Sequence, residues 1–115
     1  MTRLLAILFG IAFIFIGISG LLHVFMTNGL LFGFFEVSTL HNILHIVSGV
    51  LAIMAATSFY YARLYFQVFG VIYALIAILG FWRHNLFLMH VNFSDNLLHA
   101  AIGIVALIIG FKRKN

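Results

Sequence analysis

Every charged side chain in this sequence stands between apolar runs or at their edges. Four such runs follow one another: Leu4 to Met26, Thr39 to Tyr61, Leu64 to Trp82 and Ser94 to Phe111. Crossing the hydrocarbon of a bilayer takes about 20 apolar residues in a helix, so each run is a candidate span. The water-soluble alternative fails on area. A domain of this length leaves roughly a third of its unfolded-chain surface exposed. A chain that is 65% hydrophobic and 7% charged has too little polar surface to cover it. The expected class is therefore all-α integral membrane: an antiparallel four-helix transmembrane bundle, a single domain over residues 1–115, with the lipid bilayer as its principal partner. The absence of proline removes the usual cause of a kink. The absence of cysteine removes disulfides and thiolate metal ligands.

A formal net charge of +4 would suit a nucleic-acid binder if the bases formed a patch. Instead Arg3, Arg63, Arg83, Lys112, Arg113 and Lys114 are strung along the chain at run edges, which is a topological pattern and argues against nucleic acid as a partner. Arg3, the turn containing Arg63 and the basic tail fall on one side of the membrane, so five of the six bases share it and only Arg83 lies opposite. Positive charge is retained on the cytoplasmic side. Both termini are expected there, in a cell inner membrane, with the first and third loops outside.

The first run also has the layout of a secretory signal, with Arg3 ahead of an apolar core and Gly17-Ile18-Ser19 as a weak cleavage site. It reads instead as a retained helix, because it shares its pattern with the third run. Phe9-Gly10-Ile11-Ala12-Phe13 resembles Phe69-Gly70-Val71-Ile72-Tyr73, and Gly17 and Gly20 line up with Ala77 and Gly80. The second and fourth runs match in the same way: Asn42, Leu44, His45 and Gly49 recur as Asn96, Leu98, His99 and Gly103. The chain is thus expected to hold two copies of a helix pair inserted in the same direction, with a pseudo-symmetry axis along the membrane normal. Steps of three and four place Gly10, Gly17 and Gly20 on one stripe, and Gly70 and Gly80 on another. Gly49 and Gly103 lead two more. Small residues on a stripe let helices approach closely in lipid, so these read as packing seams, and they are expected to set the second helix against the fourth.

The connection from Thr27 to Leu40 carries Asn28-Gly29 as a turn signal. Leu30, Leu31, Phe32, Phe34 and Phe35 make it an interfacial or partly re-entrant segment rather than a solvated loop. Ser38 or Thr39 suits the N-cap of the second helix, and Tyr60, Tyr61 and Arg63 mark the interface at its end. The third connection, Arg83 to Phe93, holds His84, Met89 and His90, a minor candidate for a surface copper site.

The chemistry-bearing residues gather at the heads of the even helices. His41 and His45 share a face, and Asp95 and His99 hold the equivalent places. Ionisable groups inside a span are costly and face a bundle interior. Three readings follow. Asn42, His45, Asn96 and His99 can be interhelical polar contacts that fix register. His41, His45, Asp95 and His99 can ligate zinc, iron or manganese, with ligands at i and i+4 of a helix. His45 and His99 can be axial ligands of a haem, with Gly49 and Gly103 making room for the ring. A relay across the membrane would lack stations, because Glu36 and Asp95, the only acids, both belong to the outer side. No nucleophile–base–oxyanion set or phosphate loop is present, so a non-enzymatic role is favoured.

The motif His-Asn-Ile-Leu-His-x3-Gly at 41–49, paired with Asp-Asn-Leu-Leu-His-x3-Gly at 95–103, resembles a bacterial four-pass membrane family catalogued only as a domain of unknown function. That family's second helix carries Asn-x-x-His-x3-Gly and its fourth Asp-Asn-x-Leu-His. The resemblance covers most of the chain and implies a small bacterial inner-membrane protein with four spans; it carries no activity or ligand. The chain departs from the family in lacking a proline in the third loop. In general shape it is also similar to other small four-pass proteins such as the DoxX-like family, which warrants no function. The sequence therefore favours an accessory or structural role, with homo-oligomer formation compatible with it. Metal or haem binding is the alternative, and a transporter component ranks behind both.

Overall fold

The four helices are α1 (Thr2–Leu21), α2 (Thr39–Ala55), α3 (Phe59–Trp82) and α4 (Phe93–Phe111), seen in a computed structural model that describes residues 1–83, 85–86 and 89–112. Two short hairpins join them on one side: β1 (Met26–Thr27) with β2 (Leu30–Leu31), and β3 (Asn85–Leu86) with β4 (Met89–His90). The side chains of His84, Met89 and His90, and the tail from Arg113, lie outside the described residues. α1, α3 and α4 are long and apolar enough to cross a membrane. At 17 residues α2 is shorter; it rises about 26 Å, a little less than the ~30 Å hydrocarbon core.

Burial is inverted relative to a water-soluble bundle. Leu8, Ile11 and Phe15 of α1, Leu51 of α2, Leu75 and Ile78 of α3, and Ile104 and Ile108 of α4 are all exposed. The buried positions are mostly small: Ala6, Ala52, Ala62, Ala77 and Ala106, with the glycine stripes among them. Lipid tails solvate a leucine as well as another leucine does, so helices in a membrane gain by close packing of small residues instead.

The seams pair each helix with its neighbour in sequence. A Cβ added at Gly10 would lie 2.7 Å from the Gly49 carbonyl oxygen, and one at Gly49 would lie 2.6 Å from that of Gly10. Gly70 meets Leu107, and Gly103 meets the Ala74 backbone. The stripes of α2 and α4 thus face α1 and α3, not each other as expected from the sequence. A short connection makes antiparallel neighbours, and those neighbours carry the matching stripes. Between the two pairs the fill is aromatic. Phe9 meets Phe66 edge-on at 4.9 Å, and Phe13 stacks on Tyr73 at 5.5 Å, so α1 and α3 run in the same direction.

Two expected boundaries move, each for a local reason. α2 closes at Ala55 and α3 opens at Phe59, because Ser58 caps the new helix by accepting from the Tyr61 N–H at 3.1 Å. Tyr60 and Tyr61 therefore begin α3 instead of ending α2, and stand exposed at the interface. α1 stops at Leu21, five residues early. Val24 N–H bonds to the Ser19 carbonyl and His23 N–H to that of Gly20, with His23 in the left-handed region at φ 56°. That is a Schellman ending with histidine where glycine is usual.

The first connection is ordered. Asn28 (φ 55°) and Gly29 (φ 80°) form the two-residue turn of the β1–β2 hairpin, the geometry that Asn-Gly favours. Leu31, fully buried, then pairs with Phe35. At the opposite end of the bundle Arg3 donates to the Ala56 carbonyl at 2.7 Å, and Arg63 to that of Gly110 at 2.8 Å. Both satisfy carbonyls left over at a helix C-terminus, where positive charge is favoured.

Overpacking a close helix contact costs about 1–3 kcal/mol. Gly49→Val should therefore lower unfolding stability in detergent by that order, whereas Leu51→Ala on the lipid face should leave it nearly unchanged. Equal effects of the two substitutions would contradict the seam.

Candidate metal centre

Ser38 sets the geometry of the site. Its hydroxyl accepts from the His41 N–H at 3.2 Å and fixes the first turn of α2, which aims His41 and His45 into the gap between the helix pairs. From α4, His99 reaches the same point. The ring centroids lie 4.4 Å apart for His41 and His45, 5.5 Å for His41 and His99, and 6.4 Å for His45 and His99. The three side chains are 5, 4 and 3% exposed, so neither water nor lipid serves their polar atoms.

One ligand nitrogen from each ring lies within 4.8 Å of the other two. Zinc–imidazole bonds of about 2.1 Å set such nitrogens on the order of 3.4 Å apart, a spacing that small ring rotations reach. The Nδ1 atoms of all three histidines are buried without a hydrogen-bond partner. Leaving a buried polar atom unmade costs about 1–3 kcal/mol. The backbone of Glu36 lies within hydrogen-bonding reach of the His41 ring. A backbone partner of that kind holds a ligating imidazole in one tautomer.

Two aromatic rings support the cluster. Phe13 lies 5.7 Å from His45, and Tyr73 lies 5.6 Å from His99. The two rings also stack on each other, on the side of the cluster toward Arg3 and Arg63. Neither ring figured among the sequence candidates. The signal was present, since they are the large residues at matched places on otherwise small stripes.

Asp95 has a different task from the histidines. Its carboxylate oxygen Oδ2 accepts from the Asn92 N–H at 3.0 Å and the Glu36 N–H at 3.2 Å, while its own N–H donates to the Asn92 side chain at 2.8 Å. This is a capping box that also ties the first loop to α4. Asn92 adds a second tie, donating to the Phe34 carbonyl at 2.9 Å. Asp95 borders the cavity beside the histidines but is not one of the converging set.

Asn42 and Asn96 do not join the histidines either. Each lays its amide oxygen over a glycine of the neighbouring helix, Asn42 on Gly20 and Asn96 on Gly80, so closely that a Cβ there would overlap it. Neither oxygen has a conventional hydrogen-bond donor. The repeated geometry fits a Cα–H···O contact, a known device at helix–helix interfaces.

The space that a haem would need at Gly49 and Gly103 is taken by the facing helices, and His41 stands beside both supposed axial ligands. The cavity at the cluster, about 240 Å³, is the size of one substituted ring, not of a four-pyrrole macrocycle.

A family model described as Domain of unknown function (DUF4383) matches residues 3–112, and the chain belongs to that family. Comparison with curated proteins and with solved structures gives no significant match.

Removal of a helix cap costs about 0.5–2 kcal/mol. Asp95→Ala loses both the capping box and the loop tie, so its loss of stability should fall at the upper end of that range. A melting temperature unchanged from that of the unsubstituted protein would show that the carboxylate does not hold the loop.

Proposed function

We propose that this member of the family is an inner-membrane metal-binding protein, in which His41, His45 and His99 hold one zinc, iron or manganese ion near the outer face. The observation that carries the reading is the convergence of three buried imidazoles whose Nδ1 atoms have no partner. A bound cation would give the three imidazoles a common partner. Three imidazoles with a further position open to another ligand is a common arrangement for zinc. The role is accessory within a bacterial membrane.

Two features of the architecture belong to the same proposal. The chain is built as two copies of a helix pair. This is supported by the matched contacts of Asn42 with Gly20 and Asn96 with Gly80, and of Arg3 with Ala56 and Arg63 with Gly110. Both termini are cytoplasmic, supported by the gathering of Arg3, Arg63 and Lys112 at one end of the bundle with Arg83 at the other. A reporter fused to the C-terminus should accordingly read cytoplasmic.

A packing role alone is the second reading, favoured by the ring contacts of His45 with Phe13 and of His99 with Tyr73. Elemental analysis of detergent-purified protein separates the two. The metal reading expects close to one ion per chain, with His41→Ala, His45→Ala and His99→Ala each weakening retention at least tenfold and Asp95→Asn retaining it. If no metal copurifies or binds on titration, and the histidine variants change only melting temperature, the packing reading stands.

A further inference from the structure

The histidine cluster spans the two helix pairs, whereas the close glycine seams run within each pair. His41 and His45 come from α2 and His99 from α4, with the His41 and His99 ring centroids 5.5 Å apart. That spacing needs a connection across the gap between the pairs. Below the cluster, Ser48 of α2 supplies one by accepting from Tyr65 and Tyr73 of α3. Laterally the cluster borders a cleft of about 240 Å³ between α2 and α3, lined mainly by apolar groups such as Leu44, Val47 and Ile72, which offer no hydrogen bond. On the outer side the first loop covers the histidines, and there the connection is polar.

It runs through Glu36. Its N–H donates to Asp95 Oδ2 at 3.2 Å on the α4 side, and its backbone lies within hydrogen-bonding reach of the His41 ring on the α2 side. With the N–H given to Asp95, the carbonyl is the group left to accept from the ring. Two residues on, the Ser38 hydroxyl accepts from the His41 N–H at 3.2 Å. Residues 36 and 38 therefore hold His41 at ring and backbone, and Asp95 keeps that hold in register with α4. His45 and His99 are supported differently, against Phe13 and Tyr73.

We infer that Asp95 is a positioning residue for the ion, holding the His41 ring through Glu36 at the place, and in the tautomer, that coordination beside His99 requires. A histidine that gives its ring proton to a fixed carbonyl turns its other nitrogen to a metal as a lone pair. The inference rests on the metal reading and adds to it a residue outside the converging ligands. Asparagine at position 95 keeps an oxygen that can accept from the Glu36 N–H, and alanine does not.

The test titrates the full chain in detergent with Zn²⁺ against a competing chelator, and records the ring-nitrogen NMR resonances of the metal-free histidines. Loss of a group that orients a metal ligand typically weakens binding by about 10–100-fold. Asp95→Ala should fall at the lower end of that range, and Asp95→Asn should restore binding. In a His41→Ala background Asp95→Ala should add nothing further, because its effect passes through the missing ring. Without metal, Asp95→Ala should shift the His41 ring resonances toward a mixture of tautomers and leave those of His45 in place. Equal losses of Zn²⁺ affinity in both backgrounds would overturn the inference, since they would show a general loosening of the loop. Unchanged affinity with unchanged His41 resonances would overturn it as well. Failure of the unsubstituted protein to bind Zn²⁺, Fe²⁺ or Mn²⁺ would instead sink the metal reading, and the His41 resonances alone would then decide whether Asp95 positions that ring.

Discussion

The backbone contact between Gly10 and Gly49, with its counterparts along α3 and α4, is the constraint from which the remaining geometry follows. In lipid nothing drives apolar side chains together, so helices hold where their backbones approach. That condition is met within each sequential pair and not between the pairs. The two pairs consequently stand apart, and large groups fill the space: Phe9 against Phe66, Phe13 against Tyr73, and the three imidazoles toward the outer end. The cleft beside the histidines is a consequence of the same spacing. Tight seams within the pairs and bulky fill between them leave one side imperfectly closed.

A membrane also demands that buried polar groups find partners within the protein. Most of them do so economically. Arg3 and Arg63 serve helix-terminal carbonyls, Asp95 serves two backbone N–H groups, and the Schellman turn at His23 closes α1. Against that background the Nδ1 atoms of three neighbouring histidines are buried without a hydrogen-bond partner. The amide oxygens of Asn42 and Asn96 also lack a conventional donor, but each lies over a glycine of the neighbouring helix, whereas the three imidazoles lie against one another.

Much of this was legible in the residues. Run length and edge charge identify the helices, steps of three and four identify the seams, and the mirrored Asn and His positions bring His45 and His99 to one place. What was not legible has physical causes. Ser58 ends one helix and starts the next inside an unbroken apolar stretch, where hydropathy carries no mark and only a hydroxyl cap does. Histidine at the C′ position of α1 hides a stop that glycine would have announced. The partner of each small-residue stripe is a tertiary fact, because a seam specifies close approach but not to which helix. Asp95 is ambiguous for a further reason: a carboxylate in the first turn of a helix suits a cap and a metal equally well by spacing alone.

The two motifs differ at this same position. Positions 41 and 95 are equivalent in the two motifs, yet Asp95 turns back to its own N-cap and the first loop, while His41 leaves its cap to Ser38 and turns toward His45. Had both been histidine, no carboxylate would tie loop to helix, and four imidazoles would crowd one gap. The mixed pair divides the work. One member ties the first loop to α4 through the Glu36 N–H, and the other completes a group of three imidazoles. The asymmetry between otherwise matched helices thus separates the residue that ties the first loop to α4 from the one that joins the histidine cluster.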